Sequence, residues 1–322
     1  MSTFRFAILG AAKVGRKFCA AVSLIPGCEV CAVASKSLER AQQFAQAHGV
    51  EHYYDSYEQM LNAEKPDCAY IAVTVNDHFR LTMMCLERRI PVLCEKAMFR
   101  NSAEAEAAFA KARENNVFVM EAMWSRFLPN ILKVREWVRE GRIGTVELAQ
   151  CDIGFLAPYA PDNRYFSPAL GGGAALDITV YAYEITTFVL EQVIRSMHVQ
   201  ASWCDTGVDA SDHVTIRFEH TLANLMTSFV TNMQDQLVLY GTQGRIVAPN
   251  PHHGNECYLY GSDGELMEHF VDTQTQQGFT YQIEETMRCI REGLIESPVV
   301  PHLLTLNCAK LFDIINQTKN SF

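Results

Sequence analysis

The sequence lacks the features that mark membrane-bound, nucleic-acid-binding and disulfide-stapled proteins. No uninterrupted apolar run approaches the ~18–20 residues that a membrane helix needs. No run of Lys or Arg is longer than two and the net charge is −10, which argues against nucleic-acid and anionic-membrane partners. The 11 cysteines are odd in number and scattered, a pattern typical of reduced thiols. Because the N-terminus also shows no signal-peptide pattern, we expect a cytoplasmic protein.

Clustered metal ligands are also scarce. Cys28 and Cys31 match C-x-x-C, but they lie in an expected strand, where residues three apart point to opposite faces. His252, His253 and Cys257 do not have the spacing of a zinc site. The sequence therefore predicts core thiols at the cysteine pair and no metal site.

The first part of the chain alternates short apolar runs with amphipathic stretches, and 322 residues suffice for two domains. Strands alternating with helices of this length predict a parallel sheet with right-handed crossovers, the Rossmann pattern, over residues 1–123. The expected strands are Phe4–Leu9, Glu29–Ala34, Cys68–Val73, Pro91–Cys94 and Val117–Met120, with helices near 14–24, 37–48, 56–62, 78–88 and 102–115.

From residue 124 the pattern changes. Strand-like runs separated by short turns between 195 and 270 predict a large, mostly antiparallel open sheet. The other expected elements are a helix near 127–140, a strand near 145–156, a helix that follows Gly171-Gly172-Gly173 and ends about Glu191, and helices near 277–293 and 302–318. We therefore expect an α/β protein whose second domain is 124–322, with the last helix packing back on the first domain.

The turn after the first strand reads Gly10-Ala11-Ala12-Lys13-Val14-Gly15. The dinucleotide fingerprint G-x-G-x-x-G needs one glycine for the tight turn, one for close approach to the pyrophosphate and one for helix packing. Ala12 replaces the middle glycine, and its methyl group keeps the phosphate slightly farther from the backbone. Lys13 and Val14 open a helix whose N-terminus suits an anion, so the turn predicts a dinucleotide site.

The end of the second strand indicates which nicotinamide cofactor is preferred. NAD-specific sites usually place Asp or Glu there. This chain has Ser35-Lys36-Ser37, and hydroxyls with a cation suit a 2′-phosphate that no carboxylate repels. We expect NADP(H), with NAD(H) as the alternative if Lys36 is only a solvated side chain.

Three further motifs carry a resemblance to a known family. They are Glu95-Lys96, the run from Met120 to Pro129 (MEAMWSRFLP), and the run from Leu170 to Tyr181 (LGGGAALDITVY). Over essentially its whole length the chain resembles the glucose-fructose oxidoreductase/inositol dehydrogenase/rhizopine catabolism (Gfo/Idh/MocA) family. The last two motifs are similar to the branch of dimeric dihydrodiol dehydrogenases and NADP-dependent D-xylose dehydrogenases.

The resemblance assigns roles by position. Lys96 matches the family's active-site lysine, and Asp177 and Tyr181 match an Asp-x-x-x-His/Tyr pair that helical spacing puts on one face. Trp124 matches an aromatic residue near the nicotinamide and the substrate, and His78 a histidine beside the cofactor. The full expected set is Gly10, Ala12, Lys13, Val14, Gly15, Ser35, Lys36, Thr74, Asn76, His78, Glu95, Lys96 and Trp124 for the cofactor, and Lys96, Trp124, Phe155, Asp177, Tyr181 and Phe279 for the substrate.

Two positions depart from the family pattern. Ala97 stands where the family has proline. Because a cis peptide bond before alanine costs ~3–4 kcal/mol, the sequence does not decide the backbone conformation at Lys96. The segment from Pro249 to Gly254 carries His252 and His253 where the dihydrodiol branch tends to show aromatic residues. The second departure puts an aromatic diol substrate in question.

The resemblance implies hydride transfer between the nicotinamide and a hydroxyl-bearing carbon of a sugar, polyol or alicyclic diol. A tyrosine pKa near ~10 is too high for a base at neutral pH, but an adjacent ammonium lowers it. We therefore expect Tyr181 to transfer the proton, Lys96 to act as its electrostatic partner and Asp177 to orient them, with the first two roles exchangeable. The structural alternatives are a helix cap at Asp177 and a core tyrosine at Tyr181.

Two rival functions share the same fold. One is a non-catalytic NADP-sensing regulator, and the other is a glycoside-cleaving relative with tightly bound NAD. The joint presence of Lys96, Asp177 and Tyr181 favours an enzyme over the sensor. Apolar residues in both registers of the run 222–230 predict that the C-terminal sheet forms a homodimer interface.

Overall fold

The computed structural model describes residues 3–319 and divides them into two compact units. The first unit runs to Trp124 and includes Gln277–Asn307. The second comprises Ser125–Gln276 and the described chain from Cys308 onward. The domain limits expected from the sequence, 1–123 and 124–322, and the packing of the last helix on the first domain stay predictions. No helix in residues 3–319 combines the length and hydrophobicity needed to cross a membrane.

The first unit is built on a six-stranded parallel sheet in the order β3-β2-β1-β4-β5-β6. This is the doubly wound order of dinucleotide-binding folds, and it confirms the expected parallel sheet. The strands are β1 Phe4–Leu9, β2 Cys28–Ala34, β3 His52–Tyr54, β4 Cys68–Ile71, β5 Val92–Cys94 and β6 Val119–Glu121, and the helices are α1 Lys13–Val22, α2 Leu38–His48, α3 Tyr57–Glu64, α4 Val75–Glu87 and α5 Ser102–Asn115.

Two features of this sheet differ from the sequence expectation. Strand β3 was not expected, because it has only three residues at the sheet edge and none of them is buried. Helix α4 begins at Val75, three residues before the expected start at 78, because Thr74 takes the extended N-cap conformation directly after the sheet. His78 therefore lies within the first turns of α4 instead of at its start.

The second unit contains an eight-stranded sheet in the order β14-β13-β12-β11-β7-β10-β9-β8. Only the β7–β10 pair is parallel, so the expected mostly antiparallel sheet is confirmed. Helices α6 and α7 pack on one face of it. The elements are α6 Pro129–Arg139, β7 Val146–Gly154, α7 Val180–Leu190, β8 Ile194–Trp203, β9 Asp209–Phe218, β10 Leu222–Ser228, β11 Gln236–Gly241, β12 Gly244–Pro249, β13 Glu256–Gly261 and β14 Leu266–Val271.

Two helices complete the chain, α8 Phe279–Arg291 and α9 His302–Thr318. Helix α8 packs against α1 of the first unit, using an amphipathic face whose buried positions include Ile283 and Met287. The ring of His302, at the start of α9, stacks on Phe109 with centroids 4.1 Å apart. The segment Gln277–Asn307 therefore packs against α1 and α5, two of the helices that cover the parallel sheet.

A fully buried ion pair joins Arg126 to α7. Arg126 Nη2 lies 2.5 Å from a carboxylate oxygen of Glu184, and neither side chain is exposed. The guanidinium also lies over the Phe188 ring, 5.2 Å from its centroid. Burial raises the pKa of Glu184, while the positive charge of Arg126 opposes this shift. Neither charge is stable in the core without the other.

Arg126→Leu should lower the free energy of unfolding by about 3–5 kcal/mol, because it leaves a buried carboxylate without its counter-charge. The double variant Arg126→Leu/Glu184→Leu should lose less than the single one. Urea unfolding at neutral pH measures both. Arg195→Leu is the control, since its pair with Glu219 is exposed and surface pairs contribute about 0–1 kcal/mol. A single variant as stable as the native protein would contradict this account.

Candidate active site

The turn after β1 has the backbone of a dinucleotide-binding loop. Gly10 has φ +114°, and a Cβ there would lie 2.4 Å from the carbonyl oxygen of Ala72. At Gly15 a Cβ would lie 3.1 Å from the Phe44 ring, which is how α1 approaches α2 closely. Gly10 is therefore required by space and conformation, and at Gly15 a side chain would make a tight contact, as the first and third fingerprint positions predict. Ala12 occupies the middle position as the extended N-cap of α1.

Two helix N-termini lie at the carboxyl edge of the central strands. Helix α1 follows β1 and α4 follows β4, and these strands are parallel neighbours. Neither N-cap, Ala12 or Thr74, makes a side-chain capping hydrogen bond. The first-turn N–H groups of Lys13, Val14 and Asn76 thus face the edge where anions bind in this fold. A glycine turn with no room for a side chain, together with these helix ends, fits the pyrophosphate of a dinucleotide.

Charged side chains from two helices gather at the end of β2. Lys36 Nζ lies 2.7 Å from Asp77 Oδ2, and Arg80 Nη2 lies 3.1 Å from Asp77 Oδ1. Burial raises the pKa of Asp77, but the hydrogen bonds from Lys36 and Arg80 outweigh it and lower the pKa overall. Burial likewise raises the pKa of Tyr57, and the charges of Lys36, Arg80 and Arg40 oppose this shift.

The sequence analysis identified Ser35 and Lys36 here but not Asp77, Arg80 or Arg40. Asp77 and Arg80 belong to α4, some forty residues further along the chain, and only the strand order brings them to the end of β2. Ser35 is buried, and its Oγ accepts a hydrogen bond from Ser37 N at 3.4 Å. Whether these groups contact a cofactor stays a prediction.

Lys96 follows β5 at the same sheet edge and is half-buried. Its neighbour Glu95 is buried and accepts a hydrogen bond from the hydroxyl of Tyr70, whose ring stacks on Phe18 at 3.8 Å. Burial raises the pKa of Glu95, opposed by the Tyr70 hydrogen bond and the positive charges of Lys96 and Lys17. The Lys96–Ala97 peptide bond is cis. The expected lysine therefore stands beside a buried carboxyl group.

Buried side chains hold the backbone on the C-terminal side of Lys96. The two ring nitrogens of His78 lie 2.9 Å from Ala97 O and 3.2 Å from Val73 O. Met98 N donates a hydrogen bond of 2.9 Å to Glu121 Oε1, and Thr305 Oγ1 donates one of 2.8 Å to Glu121 Oε2. Burial lowers the pKa of His78, while its backbone hydrogen bonds oppose the shift.

His78 is only 1% exposed, and its neutral ring has one N–H to donate, so it supports the backbone at either Ala97 O or Val73 O. A direct contact of His78 with the cofactor stays a prediction. Glu121 was not predicted as a site residue, although it belongs to the run from Met120 to Pro129. Its two partners are distant in sequence, at 98 and 305, which is why no local pattern revealed it.

Two aromatic residues expected near the substrate do come together in the first unit. The rings of Trp124 and Phe279 have centroids 5.3 Å apart and are tilted by 54°. Trp124 is half-buried and Phe279 is 4% exposed. Trp124 lies in a 3-10 turn, and Phe279 is the first residue of α8. Their contact is long-range and could not be read from either motif alone.

In the second unit, Asp177 and Tyr181 lie on either side of a change in helix type. Residues Ala175–Thr179 form a π-helical turn that leads directly into α7. Such π-turns are rare and occur frequently at functional sites. The expectation that Asp177 and Tyr181 lie on one helical face stays a prediction.

Each of these two residues has a partner that the sequence did not indicate. Arg164 Nη2 lies 3.1 Å from Asp177 Oδ2 and 3.3 Å from Oδ1, so the carboxylate is paired through both oxygens. The ring of Tyr181, 8% exposed, lies 5.2 Å from that of His252. His253 Nδ1 lies 2.9 Å from His252 Nε2.

The expected substrate residue Phe155 belongs to the same neighbourhood of the second unit. Its ring lies 5.4 Å from that of Tyr165, over which the Arg164 guanidinium lies at 4.3 Å. The loop 157–168 thus contributes a cation and an aromatic ring next to Asp177. Among the described residues there is no group of three His, Cys, Asp or Glu side chains placed to hold a metal ion.

Comparison with known proteins agrees with these features. Residues 4–123 match the model of an oxidoreductase family with an NAD-binding Rossmann fold, and residues 131–247 match the GFO/IDH/MocA C-terminal domain. The chain is 31% identical over 328 residues to a trans-1,2-dihydrobenzene-1,2-diol dehydrogenase of Danio rerio, covering 98% of this chain and 96% of the relative.

Two solved structures have the same fold along nearly the whole chain. A 3-ketoreductase from Actinomadura kijaniata in complex with NADP and TDP-benzene has TM-score 0.85 and 23% identity, covering 97% of this chain and 96% of the other. A levoglucosan dehydrogenase in complex with NADH and levoglucosan has TM-score 0.88 and 17% identity, covering 99% and 97%. Together with the family models and the glycine turn, these matches show that the chain belongs to the Gfo/Idh/MocA oxidoreductase family and is an NAD(P)-dependent dehydrogenase.

Proposed function

We propose that this dehydrogenase uses NADP(H) and oxidises, reversibly, a secondary or anomeric hydroxyl of a sugar, polyol or alicyclic diol in the cytoplasm. The observation that carries the proposal is the set of hydrogen bonds that hold the backbone after Lys96 at the carboxyl edge of the parallel sheet. His78 and Glu121 hold the backbone that follows it, so an ammonium group is kept at the edge where the glycine turn lies. The proposed cytoplasmic location is supported by the cysteines. All 11 are free thiols, and cytosolic proteins rarely contain disulfides.

The cofactor preference is supported by the charges at the end of β2. The positive charges of Lys36, Arg40 and Arg80 all act on Tyr57. The carboxylate of Asp77 acts on it in the opposite direction. A 2′-phosphate adds negative charge that such a set stabilises. NAD(H) is the alternative because Asp77 offers a carboxylate to ribose hydroxyls, as acidic residues do in NAD sites.

For the proton we assign Tyr181. The nicotinamide, when bound, supplies the hydride acceptor. The substrate hydroxyl must lose its proton, and a tyrosine whose pKa is lowered by an ammonium group is a suitable acceptor. We propose that Lys96 supplies that charge and also donates to the substrate oxygen. Asp177 is neutralised by Arg164, which suits an orienting group better than a base.

The substrate class is supported by the side chains around Asp177 and Tyr181. Arg164, Asp177 and His252 offer charged or polar groups, and Phe155 and Tyr165 offer apolar faces. Hydroxyl groups and ring faces of a carbohydrate match this mixture. A fully aromatic ligand without hydroxyl groups would match only the apolar part of this lining.

We also propose a homodimer formed through the sheet of the second unit. Tyr240, Leu148 and Leu222 lie side by side on β11, β7 and β10, and each is more than 40% exposed. The next exposed apolar residue along β10 on the same face is Met226. An apolar row across three neighbouring strands is typical of a face that a second sheet covers.

The cofactor assignment predicts that NADP(H) binds more tightly than NAD(H). Lys36→Ala should weaken NADPH binding by about 1.5–3 kcal/mol, the size of a hydrogen bond to a charged group, and leave NADH binding nearly unchanged. Fluorescence titration or calorimetry measures both. Lys111→Ala is the matched control, because that lysine pairs with Glu114 on α5. Equal or tighter NADH binding by the native protein would refute the preference.

The catalytic assignment predicts that Tyr181→Phe lowers turnover roughly 10²–10⁴-fold, while NADPH affinity and folding persist. Tyr183→Phe on the same helix removes a fully buried hydroxyl and should keep near-native turnover. Lys96→Met should cost at least as much as Tyr181→Phe and raise the apparent pKa of the rate profile, because the tyrosine loses its cation. The measurement is turnover against pH with NADP⁺ and a panel of sugars, polyols and cyclic diols. Full activity in Tyr181→Phe would move the proton-transfer role to Lys96.

The dimer assignment predicts a dimeric mass in light scattering at micromolar concentration. Leu148→Glu should shift the mass toward the monomer, since it puts a charge in the middle of the apolar row. Leu24→Glu changes a leucine of similar exposure on the first unit and should leave the mass unchanged. A native protein that is monomeric under these conditions would rule out the interface.

A further inference from the structure

Two aspartates of β9 are buried against the π-turn that precedes α7, one at each end of the turn. Asp209 is 6% exposed and Asp212 is 3% exposed. Among residues 3–319 no Lys, Arg or His forms an ion pair with either carboxyl group. Two ionised carboxylates in a dry site repel each other and lose hydration, so such pairs normally retain a proton. The proposed mechanism makes no use of either residue.

Asp209 caps the π-turn. Its Oδ2 accepts a hydrogen bond of 2.5 Å from Ala175 N, and Ala174 N also contributes to its stabilisation. A Cβ at Gly173 would lie 2.3 Å from Asp209 Oδ1, at φ +120°. The last of the three glycines is therefore required because the aspartate occupies the space where a side chain would start. Backbone N–H groups at a helix start favour negative charge on this residue.

Asp212 has a different set of neighbours. Its Oδ2 accepts a hydrogen bond of 2.6 Å from Thr179 Oγ1, which in turn lies 2.6 Å from Thr227 Oγ1. Its Oδ1 is buried, and no hydrogen-bond donor of the described residues reaches it. The Asp209 and Asp212 carboxyl groups are close enough to influence each other's pKa through charge and a side-chain hydrogen bond. A proton on Asp212 Oδ1 would turn this oxygen from an unmatched acceptor into a donor to Asp209.

We propose that Asp209 and Asp212 share one proton, carried by Asp212, and that the remaining carboxylate on Asp209 positions the helix bearing Asp177 and Tyr181. Both are positioning residues, because they act on the reaction through this helix. The positioning role rests on the proposed function of Tyr181, whereas the shared proton does not.

The titration behaviour is consistent with this geometry. Burial raises the pKa of both aspartates, and the charge of Asp209 adds to the shift of Asp212. Because the folded pKa of Asp212 is raised, its contribution to stability is complete at acidic pH and is lost as the pH rises through that folded pKa. The neighbouring groups are Thr179, Thr227 and Cys204, and the pKa of Cys204 is itself raised by burial and by Asp209.

Infrared difference spectroscopy tests the shared proton without substrate or cofactor. Native protein at neutral pH should show a protonated-carboxyl stretch that is missing in Asp212→Asn. The difference between the two spectra is needed because Glu95 and Glu184 are also buried carboxyls with raised pKa values. Identical carboxyl bands in the two proteins would overturn the proposal.

Matched substitutions test which residue holds the charge. Asparagine at 212 keeps a donor to Asp209, so Asp212→Asn should retain most of the native stability and show a flatter dependence of stability on pH. Asparagine at 209 moves the charge away from the backbone N–H groups, so Asp209→Asn should be clearly less stable. If both residues were ionised, either change would relieve repulsion and stabilise the protein. Equal effects of the two changes, in either direction, would overturn the assignment.

Kinetics tests the positioning role. Asp209→Asn should lower kcat by roughly 10–100-fold, the scale for a misplaced catalytic group, with NADPH affinity at the native value. Asp212→Asn should lower kcat by a few-fold at most. Native kcat in a folded Asp209→Asn would overturn the positioning role. If Tyr181→Phe proves fully active, the proposed function fails, while the infrared and stability results still decide the shared proton.

Discussion

Glu121 ties the backbone that presents Lys96 to the rest of the first unit. One carboxylate oxygen accepts a hydrogen bond from Met98 N and the other from Thr305 Oγ1, so the end of β6, the segment after β5 and the start of α9 are joined by a single buried side chain. The ring of His78 lies between Ala97 O and Val73 O and donates a hydrogen bond to one of them. Losing one partner leaves a buried acceptor or donor unsatisfied, which costs about 1–3 kcal/mol. The position of the lysine therefore depends on groups that never need to touch a substrate.

The second unit meets a related problem at α7, where every residue is buried. The charged and polar groups of a helix in such surroundings need partners from elsewhere in the chain. Glu184 is balanced by Arg126, Asp177 by Arg164, and the N-terminal N–H groups by Asp209. In each case the partner comes from a different part of the chain. This explains how Asp177 and Tyr181 are held on a helix whose first turn departs from α geometry.

Side chains of opposite charge meet at the end of β2. Asp77 is a carboxylate of α4 with which both Lys36 and Arg80 pair. Two cations thus share one carboxylate in this cluster, and we propose that a 2′-phosphate binds there. A solved structure with NADP and one with NADH both have the fold of this chain, so the fold itself is compatible with either nicotinamide cofactor.

The sequence by itself determined the parallel nucleotide-type sheet, the glycine turn at Gly10 and Gly15, the lysine after β5 and the mostly antiparallel second sheet. All of these depend on local periodicity or on motifs within a few residues. The tertiary structure alone decided that β3 joins the sheet edge, that Asp77 and Arg80 meet Lys36, that Glu121 reaches Met98 and Thr305, and that Arg164 pairs with Asp177. These contacts join elements far apart in the chain, and a buried polar group accepts whichever partner the packing brings to it. Local pattern carries no information about that partner, because burial and strand order, not neighbouring residues, decide which charges must be matched.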